Sequence, residues 1–212
     1  MNIKFRISKT LIAFSLLLLI GGAACKDVER GNEENKSINK PKNKLDMKQN
    51  GKTWQEEFGA ILPLLGHRNW ILVVDKAFPL QTADGMTCID SQESLPDALQ
   101  KVLGEVTKAT HIKPLVYLDK ELKYMTDELC AGADSLKATI DNSVREAGVE
   151  NVSVILHDEI FAKLDAASKL FAVVVIKTEC LVPYSSVFIE LDCGYWNADK
   201  EKQLRELVAA DK

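Results

Sequence analysis

The stretch Trp70-Ile71-Leu72-Val73-Val74-Asp75 decides the fold. Five consecutive apolar residues ended by an acid leave no polar face, so as a strand the run must be covered on both sides. Upstream, Trp54, Phe58, Ile61, Leu62 and Leu65 recur at helical spacing on one face, and Gly66 is placed to end that helix in the left-handed conformation. Downstream, residues 76–93 read as an irregular loop. Ser94-Leu95-Pro96-Asp97 then has the hydroxyl cap and following acid of a helix start, and leads into Ala98, Leu99, Val102 and Leu103.

The same alternation continues to the end of the chain. A strand is expected over 114–118, and helical stretches over 120–129 and 134–147, the second closed by Gly148. Strand-like runs recur at 152–156, 171–176 and 187–191, with a helix at 159–167 between the first two and a terminal helix at 198–210. Strands separated by helices predict an α/β domain, a single compact unit with a helix-covered, largely parallel sheet. Ligands in such sheets collect at strand ends, so the residues closing strands are the first candidates for a site.

The chain has 212 residues, 46% hydrophobic and 27% charged, enough for one sizeable core and too polar for a polytopic membrane protein. Residues 1–24 are set apart from that core. Lys4, Arg6 and Lys9 precede an apolar stretch from Leu11 to Ile20, and Gly22-Ala23-Ala24 lead into Cys25. This is the three-part layout of a secretory signal, and its apolar part is shorter than the ~20 residues of a spanning helix. Small residues before a cysteine resemble a bacterial lipoprotein signal, which implies lipidation of Cys25, a membrane anchor and an exported location. Residues 26–53 are polar almost throughout and read as a flexible linker, leaving 54–212 as the folded domain.

Charge argues against a nucleic-acid partner. The net charge is −4, and loss of residues 1–24 removes only positive charges. Cys88, Cys130, Cys180 and Cys193 form none of the close pairs of a zinc site or a thioredoxin-like motif, so no metal is expected. Gly51-Lys52 lacks the spacing of a phosphate loop.

Two constellations lie at strand ends. Gly66-His67 is followed eight residues later by Asp75, within Trp70-Ile71-Leu72-Val73-Val74-Asp75-Lys76-Ala77-Phe78-Pro79. Thr178-Glu179-Cys180-Leu181-Val182-Pro183-Tyr184-Ser185-Ser186 precedes the strand expected at 187–191. Together, in this order, they resemble the D-ribose pyranase and L-fucose mutarotase family over roughly residues 54–192. That family has a Gly-His near its start, a Val-x-Asp-Ala-x-x-Pro-like strand end and a late Gly-Glu-Cys-x-Pro-Tyr-x-Asn segment.

The resemblance implies a ring-forming homo-oligomer with a cofactor-free site near subunit contacts, and interconversion of the cyclic forms of a monosaccharide. It implies His67 as general acid/base, Asp75 as the ligand of sugar hydroxyls, and Tyr184 with Ser186 as the lining. A basic residue three before a Phe belongs to the family's site; here Asp158 precedes Phe161 by three and His157 by four, so both are candidates. Ser186 stands where the family has Asn, one extra residue separates Cys180 from Pro183, and Lys76 and Phe78 replace smaller residues.

The residue types suit the chemistry. Opening a pyranose removes a proton from the anomeric hydroxyl and delivers one to the ring oxygen, work for a group that titrates near neutrality such as histidine. A carboxylate accepts from sugar hydroxyls, and a tyrosine stacks on an apolar sugar face or donates its hydroxyl. The alternative is a non-catalytic sugar-binding lipoprotein of the same fold. A third reading is a scaffold without a ligand.

Overall fold

Trp70–Val74 forms the expected strand, β1, and every one of its residues is buried. The computed structural model describes residues 51–211, so the signal, Cys25 and the linker as far as residue 50 lie outside the described residues. Thr53, at the end of the expected linker, caps α1 (Trp54–Ile61) through a reciprocal capping box with Glu56. The helix tightens into a single 3-10 turn, Leu62–Leu64, containing Pro63. The left-handed residue that follows is Arg68 at φ 73°, not Gly66 as the sequence suggested. Pro63 lacks a backbone N–H, which ends the α-helical ladder before Gly66 is reached.

Next come β2 (Met86–Asp90), α2 (Leu95–Lys108) and β3 (Ile112–Asp119), followed by α3 (Ala133–Glu146) and β4 (Val152–Ile155). The chain closes with α4 (His157–Ala167), β5 (Val173–Lys177), β6 (Val187–Cys193) and α5 (Ala198–Ala210). Two expectations are corrected. β2 lies inside the supposed loop 76–93, and the helix expected at 120–129 is a short 3-10 turn, Lys120–Tyr124, followed by turns. β2 escapes pattern reading because Met-Thr-Cys-Ile-Asp neither alternates cleanly nor runs apolar, yet it pairs in register with all of β5. Gly85 admits β2 to that place: a Cβ there would lie 2.3 Å from the Ser168 carbonyl oxygen.

The sheet runs β2-β5-β1-β6-β3-β4. β1 is parallel to β5, β5 to β2, and β3 to β4, while β6 is antiparallel to both β1 and β3. Five strands therefore share one direction, and the largely parallel α/β reading holds. Alternate residues of the central strands enter opposite cores. Ile71 and Val73 join Trp54, Phe58, Leu99, Val102 and Ile140 beneath the layer of α1, α2 and α3. Trp70, Leu72 and Val74 join Ile160, Leu164 and Phe188 beneath α4. In α2, Leu99, Val102, Leu103 and Val106 are buried, each worth about 1.5–3 kcal/mol relative to exposure. α5 buries none of its residues, and β4 leaves Val152, Ser153 and Val154 exposed at the sheet edge.

The strand directions define two opposite ends of the sheet. The ends of β1, β3, β4 and β5 and the start of β6 meet at one. The approaches to β1 and β3 and the end of β6 meet at the other.

Candidate functional site

The loop between β5 and β6 is strapped to the end of β1. Thr178 is fully buried and donates from both its N–H and its Oγ1 to the Val74 carbonyl, at 3.0 and 2.7 Å. Lys76 N–H donates to the Cys180 carbonyl at 2.8 Å, and the Lys76 ammonium pairs with Glu179. Within the loop, Ser185 Oγ donates to the Val182 carbonyl at 2.7 Å and lies 3.3 Å from Cys180 Sγ. These bonds fix a turn in which Tyr184 takes φ 59°, a left-handed conformation uncommon outside glycine and characteristic of functional turns.

The turn delivers Ser186 to Asp75. Ser186 Oγ donates to Asp75 Oδ2 at 2.9 Å and accepts from the Asp75 N–H at 3.3 Å, while Asp75 Oδ1 accepts from Ala77 N–H at 2.9 Å. Ser186 itself is buried. It orients the acid from behind, an indirect role that its short side chain suits.

From the other side comes the first residue of α4. The His157 ring packs 4.5 Å from Phe161 and meets Tyr184 edge-on at 5.2 Å, centroid to centroid. Its Nδ1 lies 3.1 Å from Asp119 Oδ2. Its backbone N–H donates to both carboxylate oxygens of Glu121, at 3.3 and 3.1 Å. Leu156 precedes α4 without a side-chain cap, and Glu121 supplies that function from across the sheet edge.

Asp119 is the most unusual group here. Burial pushes its carboxyl up to about 6, with the Glu121 and Asp75 charges pushing the same way and the His157 bond opposing them. Its Oδ1 is buried with no hydrogen-bond partner among the described residues. A buried carboxylate oxygen without a donor is costly, and such oxygens occur where a ligand hydroxyl or water completes the site.

Four sequence candidates therefore come together: Asp75, His157, Tyr184 and Ser186. Asp158 is exposed in the first turn of α4 and takes no hydrogen bond from the cluster. His67 is elsewhere. It precedes β1 whereas Asp75 follows it, and the strand alone separates them by about 16 Å. At that opposite edge His67 Nδ1 lies 2.9 Å from Asp192 Oδ1, and its Nε2 accepts from Arg68 Nε at 3.2 Å. His111, which matched no motif, bonds the Leu65 carbonyl at 3.1 Å and has a structural role.

Asp119 and Glu121 are the members that sequence reading missed. Asp119 closes an apolar strand just as Asp75 does, and that signal was available; Glu121 is identified only by its reach to α4. The four cysteines of the described residues are free and half-buried. On the far side of the 178–186 loop a cleft of about 440 Å³ runs between the starts of α2 and α3 and is bordered by Leu95, Gly132, Ser135 and Cys180. None of the sequence candidates lines it.

Three solved structures are among those to which the chain is similar. Bacillus subtilis RbsD complexed with D-ribose is 20% identical with a TM-score of 0.44, over 64% of this chain and 91% of that one. The fucose mutarotase in complex with L-fucose from Streptococcus pneumoniae is 13% identical with a TM-score of 0.45, again over 64% and 91%. FucU from Bifidobacterium longum is 17% identical with a TM-score of 0.41, over 65% and 94%. No protein-family model and no curated protein sequence matches the chain.

Proposed function

We propose that the cluster at the ends of β1, β3 and β5 binds a monosaccharide and interconverts its cyclic forms without a cofactor. One observation carries the reading: Asp75, Tyr184 and Ser186, singled out by the motif resemblance, meet His157 beside a buried carboxylate oxygen that lacks a donor. A sugar ring offers what this arrangement lacks, several hydroxyl donors on a compact body with one apolar face.

The chemistry conserves protons. A base takes the proton of the anomeric hydroxyl as the bond from the anomeric carbon to the ring oxygen breaks, the electron pair passes to that oxygen, and the oxygen receives a proton. Closure by the same or another hydroxyl, on either face of the carbonyl, reverses the steps and changes the anomer or ring size. In this reading Asp75 accepts from sugar hydroxyls and Tyr184 packs against the ring or bonds a hydroxyl. A histidine moves the proton, and the motif resemblance gives that role to His67.

The reading extends to the rest of the chain. Export with lipidation at Cys25 is supported by the layout of residues 1–24. Gel-shift or mass analysis of the mature chain from a bacterial host, with Cys25→Ala alongside, tests it; an unmodified wild-type Cys25 refutes it. Assembly into a homo-oligomer is supported by the motif resemblance, and light scattering of the full chain tests it.

For the function itself, exchange between the cyclic forms of ribose, fucose and other monosaccharides is followed by saturation-transfer NMR on the full chain, with Asp75→Asn in parallel. Acceleration reduced at least tenfold in the variant supports the enzyme. Saturable binding without acceleration supports a sugar-binding protein instead, and neither effect with any sugar refutes both.

A further inference from the structure

We propose that α5 is a contact between two copies of this chain, in which the helix pairs antiparallel with the same helix of a second copy. The inference is independent of the sugar reading, and it concerns a segment beyond residue 192, where the motif resemblance ends.

Local contacts hold the helix together but leave its apolar face bare. Asn197 caps α5 by accepting from the Lys200 N–H at 2.9 Å, and Arg205 Nε donates to Glu201 one turn back at 2.6 Å. Glu201 also accepts from Trp196 Nε1 at 2.8 Å, which ties the segment before the helix to its first turn. α5 has 13 residues and buries none of them, and helices of about 12–15 residues are marginal in water unless an apolar face is packed. Leu204, Leu207 and Val208 are all exposed, Leu207 by 70%.

The order of residues along that face identifies what covers it. Lys200, Leu204, Leu207 and Asp211 follow one another at spacings of four, three and four, the seam of a two-stranded coiled coil. The seam thus reads cation, leucine, leucine, anion, and an antiparallel copy of it is its own complement. Leu204 then lies opposite the partner's Leu207 and Lys200 opposite the partner's Asp211, each pairing made twice by the twofold symmetry. A parallel pair instead sets lysine against lysine at one end and aspartate against aspartate at the other, which repels at both. The charges are available for the antiparallel pair. Among the described residues the Lys200 ammonium reaches the Tyr195 carbonyl at 3.3 Å and no carboxylate, and Asp211 has no cation partner.

A lipid surface is a poorer match. From Asp199 to Asp211 the segment carries three bases and four acids, whereas helices that lie on anionic membranes are rich in Lys and Arg. Two helices this short bury less than the ~1,000 Å² expected of an interface that is stable alone, so the α5 pair acts on copies brought together by other contacts or at high local concentration.

Sedimentation velocity of the full chain over a wide concentration range tests the pairing. The wild type is expected to associate in a step that doubles its mass, and Leu207→Glu to stay at the lower mass throughout. Lys200→Glu and Asp211→Lys each move the step to concentrations about tenfold higher or beyond, because each sets like charges together at both ends of the pair. Both changes in one chain restore opposite charges and return the step to within about threefold of the wild-type position. All three positions are exposed, and an unchanged urea midpoint shows that each variant keeps its folded domain. No doubling step in the wild type, a step that persists in Leu207→Glu, or a double reversal no better than the single ones overturns the proposal. Vesicles of phosphatidylglycerol and phosphatidylethanolamine supply the rival outcome. A Cys25→Ala chain that floats with them, and ceases to when Leu207→Glu is added, makes a lipid surface the occupant and overturns the pairing.

Discussion

The protein carries two histidine–aspartate pairs of nearly equal length, one at each edge of its sheet, and their surroundings have made them electrostatic opposites. His67 and Asp192 lie 2.9 Å apart with side chains 55% and 29% exposed; His157 and Asp119 lie 3.1 Å apart at 34% and 0%. At Asp192, partial burial works against ionisation, but the Cys193 N–H, Lys113 at 3.0 Å and His67 together hold the carboxyl below its usual range. At Asp119, burial dominates and two neighbouring acids reinforce it, so the carboxyl rises to about 6. Contact distance thus says little about what a pair does. The donors and charges in the second layer decide whether it is a solvated surface contact or a group held ready to exchange protons.

The widest separation between the pairs should appear in stability. His157→Ala removes a ring packed on Phe161 and Tyr184 and strands a buried carboxylate, so urea unfolding at pH 8 should show a loss of about 2–4 kcal/mol. His67→Ala at the exposed pair should stay within about 0.5 kcal/mol. Equal losses would erase the distinction between the two pairs.

The next effect has a defined sign. Because the carboxyl of Asp119 in the folded protein titrates above the 3.8 of a free aspartate, the folded protein binds the extra proton, and that contribution is fully present below about pH 4 and lost as pH rises through about 6. Each unit of upward shift corresponds to about 1.4 kcal/mol. Unfolding of wild type and Asp119→Asn at pH 4 to 7.5 should therefore show wild type losing ground to the variant over that window. A parallel pair of curves would place Asp119 in an ordinary solvated state. Smaller again is Ser186→Ala, which removes one hydrogen bond to Asp75 and should cost about 1 kcal/mol in unfolding, with weaker sugar binding.

How much of this the sequence revealed follows from the range of the forces involved. β1, α2 and α3 were legible because a continuous apolar run or a 3.6-residue stripe is a local record of burial. β2 was not, since its place depends on pairing with β5, more than 80 residues later, and on the contact that only Gly85 allows. The 3-10 turn after Asp119 likewise replaced a full helix whose sequence had no competing local signal. In the site, Asp75, Tyr184 and Ser186 were marked by motif, while the resemblance left His157 and Asp158 as joint candidates ahead of Phe161. Asp119 and Glu121 were missed because a charge becomes unusual through burial and neighbours contributed by other segments. His67 shows the converse: the motif gives the order of residues along β1, while a strand sends its two ends to opposite edges of the sheet.

Salt provides the finest test of the contrast. In 1 M salt the screening length is about 3 Å, against about 8 Å at physiological ionic strength. The Asp192 carboxylate draws on Lys113 and His67 across partly solvated space, so Asp192→Asn should destabilise the protein by less than about 1 kcal/mol in dilute buffer, and that difference should vanish in 1 M NaCl. Asp119 is enclosed by protein, where ions do not enter, so the stability difference made by Asp119→Asn should be the same at both salt concentrations when measured at pH 7.5. Salt sensitivity at Asp119 would mean that solvent reaches its carboxylate, and an oxygen already hydrated has no unmet need for a sugar hydroxyl.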